Sequence, residues 1–433
     1  MTSTKRCCVA VHLTTCALAL HAQGPDLIGY WHNWNDVNAP YFHLDQVDPR
    51  YTIINLAFAE PVGGTTYAME FVPSQDVPAD FIARVDTLRA HGKKVLASIG
   101  GANATVQLNS EQEKQTFIYL MNSLLQTWHL DGVDIDLEGA SVATTGGTIA
   151  TPVDSTIIRF ISAMQEVMVD YRQATGNKMF LTMAPETAYV QGGQSSFGGI
   201  WGAYLPIIDA LRDSLDVLYV QLYNSGSMYG IDGNIYNQGT ADFIVSQTEA
   251  VIQGFSTSGG FFAGLPPEKV AVGLPACSAA AGGGYVDTAT VRIAMEYLLG
   301  EGPQPGTYTL QQPGGYTALR GMMTWSINWD AVSTCNGAHS YADTYERVFG
   351  DFSTGVPVVE VEELLLMGNP VRDVLRFNGQ LSGVVRIRDS SGRSVQSTAM
   401  NGNELDVRHL PSGLYLIEFS SGEAILRTRF VKE

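Results

Sequence analysis

Positively charged residues are scarce in this 433-residue chain: 25 Lys and Arg stand against 43 Asp and Glu, a formal net charge of -18. A surface with this balance repels phosphate backbones and anionic lipids, so nucleic acids and membrane surfaces are poor candidate partners. Charged residues make up only 16% of the chain, whereas 45% of the residues are apolar. This composition argues against extensive disorder and predicts a large core in more than one domain. A neutral ligand suits the charge best.

Long apolar runs are also lacking beyond the start of the chain. Lys5 and Arg6 precede a short apolar stretch ending in small residues, which predicts a signal peptide over 1–22 with cleavage after Ala22. A membrane anchor and a lipid-modified Cys16 are the alternatives, but a bilayer-spanning helix requires ~20 apolar residues. We therefore expect an exported protein without a membrane span.

Cysteine is rare, with five residues in all, of which three fall within the predicted signal peptide. The remaining two, Cys277 and Cys335, are compatible with one disulfide in an oxidising compartment. Two separate buried thiols fit the sequence equally well.

Short β-branched and aromatic runs alternate with segments of helical period along most of the chain. The helix candidate 110–128 begins with Ser110 and has Glu113 three residues later, a capping-box signature. Such alternation predicts an α/β fold in which eight parallel strands close into a (β/α)8 TIM barrel over 24–352. A doubly wound open sheet is the alternative. The eight strand candidates are 26–31, 51–59, 93–101, 130–139, 178–186, 215–224, 269–276 and 321–329, and the other helix candidates are about 79–91, 155–173, 241–254 and 289–299.

The chain changes character after Phe352. Residues 353–363 have the composition of a linker, and 364–433 contain short strands with turn residues between them and no helical period. This pattern predicts a small all-β sandwich domain at the C-terminus.

Four of the ten positions of one strand candidate, LDGVDIDLEG, are acids: Asp131, Asp134, Asp136 and Glu138. Because side chains alternate along a strand, the last three point to one face while the apolar residues between them point to the other. In a barrel that polar face would be the interior, where isolated carboxylates are costly unless they share protons or hydrogen bonds. Stability alone does not explain such a strand.

Carboxylic acids crowded in this way are suited to glycoside hydrolysis. Glu138 is nearest the C-terminal mouth of the barrel, where active sites lie, and crowding raises carboxyl pKa values so that a neutral acid can protonate a leaving group. A second carboxylate on the opposite wall is hard to find, with Glu186 the one obvious candidate, so a 2-acetamido group of the substrate positioned by Asp136 is a candidate nucleophile. A metal site and a purely structural proton-sharing pair are the alternatives, but acids spread along ~13 Å of strand do not reach one ion, so no metal is expected.

The acidic run belongs to a set of motifs that resembles glycoside hydrolase family 18 over residues 26–350. DGVDIDLE at 131–138 matches the DxxDxDxE signature of that family, and SIGG at 98–101 matches its third-strand motif. Bacterial chitinases of the family have similar motifs on strands five, six and eight, matched here by MAPE (183–186), QLYN (221–224) and MTWSINWD (323–330).

This resemblance implies a secreted chitinase that acts with retention and without a cofactor. Glu138 would be the general acid and then the base, Asp136 would orient and stabilise the N-acetyl group, and Asp134 would share a proton with Asp136. Tyr223 would hydrogen-bond the acetamido oxygen, and Trp325 would lie beneath the sugar ring. Other pocket contacts implied by the matched motifs and their surroundings are Tyr30, Ser98, Met183, Glu186, Gln221 and Asn224.

Two other functions remain open on the same barrel, a chitin-binding lectin and an endo-β-N-acetylglucosaminidase acting on N-glycans. Lectins related to this family typically replace the motif glutamate, so the presence of Glu138 favours an enzyme. The stretches 189–199 and 278–285 resemble loops of bacterial chitinases and favour chitin or chitooligosaccharides as the substrate. The protein is expected to be a monomer. The tail 364–433 resembles the C-terminal sorting domain of the type IX secretion system of Bacteroidota. This resemblance implies that the secretion machinery is a partner and that the protein is secreted or displayed on the cell surface. A fibronectin-like spacer and a sugar-binding sandwich are the alternatives for this tail.

Overall fold

The computed structural model describes residues 24–332, 334–350, 366, 369–389, 394–421 and 424–433. The predicted signal peptide, 1–22, and the predicted linker, 353–363, therefore lie outside the described residues. The chain divides into two compact units, Met1–Thr354 and Gly355–Glu433.

Eight parallel strands form the sheet of the first unit. They are β1 (Asp26–His32), β2 (Ile53–Pro61), β3 (Lys94–Gly100), β4 (Gly132–Asp136), β5 (Phe180–Met183), β6 (Val217–Leu218), β7 (Ala271–Pro275) and β8 (Gly321–Trp325). Their order in the sheet is β7-β8-β1-β2-β3-β4-β5-β6, and two isolated parallel bridges, Leu218 with Val270 and Gln221 with Gly273, join the β6 and β7 segments. The sheet therefore closes on itself, which confirms the (β/α)8 barrel and excludes the doubly wound sheet.

Helices follow the strands and cover the outside of the barrel. The predicted start of α2 is confirmed, because the Ser110 hydroxyl accepts a hydrogen bond from the Glu113 backbone N–H. The Glu113 side chain accepts from the Asn109 N–H rather than from that of Ser110, so the reciprocal half of the capping box is displaced by one residue. The helices are α1 (Pro78–Ala90), α2 (Glu111–Thr127), α3 (Ser155–Thr175), α4 (Leu205–Leu211), α5 (Ala241–Gln253), α6 (Thr288–Leu298), α7 (Ile327–Asp330) and α8 (Ser340–Phe349).

Short hairpins and single turns of helix complete the first unit. Residues 69–70 pair with the end of β2, 227–229 pair with 235–237, and 255–257 pair with 260–262. Turns of 3-10 helix occupy Leu44–Gln46, Gly139–Ser141, Thr187–Tyr189, Gln191–Gln194 and Pro267–Lys269. Within the described residues, no helix is long and apolar enough to cross a bilayer.

The alternation of side chains divides the apolar residues of the barrel between two layers. Val133, Ile135 and Leu137 pack in the large outer cluster between strands and helices. A separate inner cluster lines the barrel axis and includes Ile28, Tyr30, Ile53, Leu96, Val217, Tyr219 and Met323. Polar side chains also face the axis, where Asp134 of β4 lies between Ser98 and Thr182 of the neighbouring strands.

The second unit is an antiparallel sheet with its own core, so the predicted all-β character of the tail is confirmed. Its strands are β9 (Val374–Asp389), β10 (Ser394–Asp406), β11 (Gly413–Ser421) and β12 (Ala424–Lys432), in the order β10-β9-β11-β12. The pairing of β9 with β10 is irregular between Arg376 and Leu381. Leu375, Phe377, Ile387, Ile417 and Phe430 are among the buried residues of this core.

Candidate active site

Strand β4 presents its acids to the barrel interior and to the mouth. Asp134 and Asp136 lie within the strand and are buried, with exposed fractions of 0% and 3%. Glu138 lies two residues beyond the strand in an extended conformation (φ -117°, ψ 168°), so it continues the same face and is only half-buried. Gly132 permits the close approach of β5, because a Cβ at this position would lie 1.8 Å from the Phe180 carbonyl oxygen.

Asp134 lies at the centre of a hydroxyl network. The Tyr30 and Ser98 hydroxyls donate to its Oδ2, both at 2.7 Å. Thr182 and Tyr219 donate to its Oδ1 at 2.7 and 2.5 Å. Burial raises the pKa of Asp134, while these four donors act in the opposite direction by stabilising the carboxylate.

Gln221 bridges the other two acids of the motif. Its side-chain Nε2 lies 2.9 Å from Asp136 Oδ1, 3.1 Å from Glu138 Oε1 and 2.9 Å from the Ala184 carbonyl oxygen. Asp136 and Glu138 are also hydrogen-bonded to each other. The carboxyl group that Asp136 contacts in this structure is therefore that of Glu138, on the side of the mouth. The sharing of a proton between Asp134 and Asp136 stays a prediction.

The environment of these carboxyls favours their neutral forms. Burial raises the pKa of Asp136 well above its ordinary value, and the charges of Glu138 and Asp134 raise it further. Burial also raises the pKa of Glu138, partly offset by hydrogen bonds from Gln221 and Asp136. Glu186, on the neighbouring wall, has its pKa raised to about 7 by burial and by the charge of Glu138. A carboxyl whose neutral form is favoured in this way is suited to act as a general acid.

Tyr223 adds a hydroxyl donor to the same region. Its side chain is buried, and burial together with the charges of Asp136 and Glu138 raises its pKa well above the usual value, so it keeps its proton. In the part of the chain that the structure describes, its hydroxyl has no hydrogen-bond partner. A buried donor with this freedom is suited to a ligand oxygen.

An aromatic wall, formed by His32, Trp34, Phe58 and Trp325, lines the β1, β2 and β8 side of the mouth. The ring centroid of Trp325 lies 5.7 Å from that of Phe58, with 14° between the planes, and 6.2 Å from that of Trp34. His32 stacks on Trp34 at 4.3 Å and 11°. Trp34 is 37% exposed and Trp325 is partly exposed, so the wall offers flat apolar faces to a ligand.

The structure brings most of the predicted residues together but not all of them. Tyr30 and Ser98 contact Asp134 rather than the open pocket. Asn224 is exposed and hydrogen-bonds a neighbouring loop at Gly283. Met183 packs in the outer cluster, because Thr182 and Ala184 face the axis in the alternation of β5, so its side chain lies away from the pocket.

Asp131, the first acid of the motif, lies at the opposite end of β4 from Glu138. Its Oδ2 accepts a hydrogen bond from the Val95 N–H at 3.0 Å, and its Oδ1 lies 3.2 Å from Arg89 Nε. It therefore ties the beginnings of two strands to a helix and takes no part in the pocket. No set of three or more His, Cys, Asp and Glu side chains within the described residues is arranged to hold a metal ion.

Several residues of the site were not predicted. Tyr219 and Thr182 complete the Asp134 network, and Asn55 orients the Tyr219 hydroxyl by donating to it at 2.7 Å. The period of two would have identified Tyr219, which is four residues before Tyr223 and two before Gln221. The remaining missed residues are His32 and Trp34, for which the aromatic spacing of GYWHNW (29–34) is the available signal, and Phe58, near the end of the strand candidate 51–59.

A closed (β/α)8 barrel with coupled carboxyls at its mouth and an aromatic wall beside them defines the class of the protein as a glycoside hydrolase. The chain belongs to glycosyl hydrolases family 18, whose model matches residues 26–333. A second model, the secretion system C-terminal sorting domain, matches residues 368–433 and indicates export to the cell surface or the medium.

Individual relatives agree with the family assignment. The chain is 44% identical over 312 residues to Chitinase Chi52 of Paenibacillus xylanexedens, covering 71% of this chain and 59% of that protein. It is 40% identical over 345 residues to Chitinase D of Niallia circulans, covering 78% and 63%. The chain thus spans about three fifths of the length of these relatives. A solved family GH18 chitinase from Chromobacterium violaceum superposes with a TM-score of 0.65 at 36% identity, covering 76% of this chain and 83% of that structure.

Proposed function

We propose that this protein is a secreted chitinase that hydrolyses β-1,4 bonds between N-acetylglucosamine units with retention of configuration. The observation that carries the proposal is the Asp136–Glu138 pair held by Gln221, beside the free hydroxyl of Tyr223. The two curated relatives described above are both named as chitinases, which supports chitin as the substrate class. The C-terminal sorting domain supports export by the type IX secretion machinery.

The first chemical step breaks the glycosidic bond. Glu138, whose neutral form is favoured by burial, donates its proton to the leaving-group oxygen. The acetamido oxygen of the substrate attacks the anomeric carbon and forms a cyclic oxazolinium ion. Asp136 accepts a hydrogen bond from the acetamido N–H and stabilises the developing positive charge, while Tyr223 donates a hydrogen bond to the acetamido oxygen.

The second step returns the enzyme to its starting state. Glu138, now ionised, takes a proton from a water molecule that attacks the anomeric carbon, and the C–O bond of the cyclic intermediate breaks. Two successive inversions at one carbon give net retention. Trp325 supplies the apolar face beneath the reacting sugar, and Phe58 and Trp34 continue that wall.

The experiment is the cleavage of a chitin hexamer with detection of the anomer of the fresh reducing end, run beside a high-mannose glycoprotein. We expect chitin cleavage with the β anomer appearing first, no turnover with Glu138→Gln and retained binding of chitin oligomers by that variant. A thiazoline mimic of the cyclised sugar should bind far more tightly than the hexamer.

Each rival function predicts a different outcome. Cleavage of the glycoprotein alone would identify an endo-β-N-acetylglucosaminidase, and binding of chitin without cleavage of either substrate would identify a lectin. An inverted product, or equal cleavage of glycans that lack the acetamido group, would refute the mechanism.

A further inference from the structure

A glycine segment, residues 282–284, lies directly against the backbone of Tyr223. Gly284 has φ +91°, and a Cβ at this position would lie 2.6 Å from Tyr223 Cα and 2.9 Å from Tyr223 Cβ. Both distances are shorter than any side chain tolerates, so only glycine allows the segment to approach this closely. The segment therefore forms a backbone surface behind the residue whose hydroxyl faces the site.

Hydrogen bonds fix the two residues that follow Tyr223, and the first of them, Asn224, is bonded directly to the glycine segment. Asn224 has a left-handed backbone, φ +54°. Its N–H donates to the Gly283 carbonyl at 3.0 Å, and its side-chain Oδ1 accepts from the Gly283 N–H at 3.1 Å. The next residue, Ser225, donates its N–H to Gln238 Oε1 at 2.8 Å and its hydroxyl to the Tyr223 carbonyl at 2.8 Å. These contacts fix the backbone that carries Tyr223.

The glycine segment is itself fastened at both ends to one neighbouring stretch of chain. Before it, Cys277 forms a disulfide with Cys335, with a Cα–Cα distance of 5.1 Å, which decides between the two predicted states of these cysteines. After it, the Tyr285 hydroxyl accepts a hydrogen bond from Asn336 Nδ2. Residues 335 and 336 follow α7, which continues from the strand that ends at Trp325.

We infer that the glycine segment is a positioning element for Tyr223 and that the Cys277–Cys335 disulfide keeps it in place. The inference rests on the proposed function, since Tyr223 must donate to the substrate for its position to matter. A hydroxyl displaced by about 1 Å in a transition state costs up to about 10²-fold in rate. The segment lies against the backbone of Tyr223, so we expect its effect on the reaction to pass through that residue.

The first test compares two glycine variants with the same backbone preference. Gly284→Ala places a methyl group against Tyr223, whereas Gly233→Ala, at φ +83°, places one in open space. Both variants carry the strain of a left-handed alanine. We expect kcat on chitin hexamer to fall by about tenfold or more for Gly284→Ala, with a smaller change in KM, and to stay near wild type for Gly233→Ala.

The second test asks whether the effect passes through Tyr223. In a Tyr223→Phe background the hydroxyl is already gone, so Gly284→Ala should lower kcat by no more than about twofold. The difference between this loss and the loss in the wild-type background measures the coupling between the two positions in a double-mutant cycle. The full chain carrying Cys277→Ala and Cys335→Ala should show a loss of kcat in the same direction that also disappears in that background. Equal losses with and without the Tyr223 hydroxyl, or equal kcat for the two glycine variants, would overturn the inference.

The failure of the proposed function gives a different result. If the wild-type protein cleaves no chitin, the function is wrong, and crystal structures of the variants then decide the positioning. A Tyr223 hydroxyl displaced in Gly284→Ala and unmoved in Gly233→Ala would support the inference. An unmoved hydroxyl in both would refute it.

Discussion

Among single residues, Gln221 connects the two acids at the mouth through its side-chain amide. Gln221 has two N–H groups facing three acceptors: a carboxyl oxygen each of Asp136 and Glu138, and the Ala184 carbonyl. It therefore fixes the relative orientation of the two acids while stabilising the ionised form of Glu138. Asp134 has the complementary role of a buried charge beneath Asp136, where four hydroxyls stabilise it and where its charge raises the pKa of Asp136.

Replacing that amide should change both rate and pH dependence. In Gln221→Leu, Glu138 loses a hydrogen bond that lowers its pKa, so its pKa rises further. A general acid works only while protonated, so activity is lost as the pH rises through its pKa; a higher pKa moves the alkaline limb of kcat/KM to higher pH. We expect kcat to fall by about 10- to 100-fold, since a hydrogen bond to a charged group contributes about 1.5–3 kcal/mol.

The control for this substitution is Gln107→Leu. Gln107 donates to the Ala140 carbonyl at the rim of the barrel and touches neither acid. Its pH profile should coincide with that of the wild type. An alkaline limb that stays in place or moves to lower pH in Gln221→Leu would contradict the role assigned to the amide.

For strands and helices, the sequence predicts positions best where the alternation of apolar and polar residues is long and regular. The order of the eight strands is predictable because β-branched runs alternate with helical segments. The start of α2 is predictable from its capping residue, Ser110. The predicted strand over 215–224 is shorter in the structure, where only Val217–Leu218 form a regular ladder. Beyond Leu218 the chain makes single contacts instead, such as Tyr219 N–H with the Met183 carbonyl and Gln221 N–H with the Pro185 carbonyl.

Other parts of the site depend on contacts between distant segments. The disulfide joins residues 58 positions apart, and nothing in the spacing decides whether two such cysteines meet. Met183 was assigned to the pocket from a motif, although the alternation that correctly oriented the acids of β4 also turns this residue outward. The aromatic wall combines rings from β1, β2 and β8, which only the closed barrel brings together.

The cap of α2 gives a prediction with a matched control inside the same helix. Ser110→Ala removes the hydroxyl that accepts from Glu113 N–H and should lower the free energy of unfolding by about 1 kcal/mol. Ser123→Ala, at an exposed interior position, should leave that free energy unchanged or raise it slightly, since alanine favours helices. Urea unfolding of both variants measures the difference. Equal values for the two would mean that the cap adds no stability.

At the scale of the whole molecule, the two units have separate cores and separate family matches. Residues of the site lie between Tyr30 and Trp325, all within the first unit. The sorting domain, in contrast, buries its own apolar residues, among them Phe377 and Ile417. Catalysis and export are thus assigned to different parts of the chain.

This separation predicts that hydrolysis is independent of the sorting domain. A chain ending at Thr354 should hydrolyse chitin hexamer with the same kcat/KM as the full chain, because no proposed catalytic group is removed. The comparison requires both proteins at equal concentration of correctly folded barrel, measured by titration with the thiazoline mimic. A decrease beyond about threefold, roughly 0.65 kcal/mol, would show that the domain contributes to the reaction.

The closure of the barrel has a consequence for how its integrity can be monitored. The joint between β6 and β7 consists of two isolated bridges, and one of them is formed by Gln221, the residue that contacts both acids. The next amide, that of Leu222, donates to the Gly273 carbonyl across this joint at 3.0 Å. Deuterium uptake at that single amide would therefore report opening of the cylinder and loss of the catalytic geometry as one event.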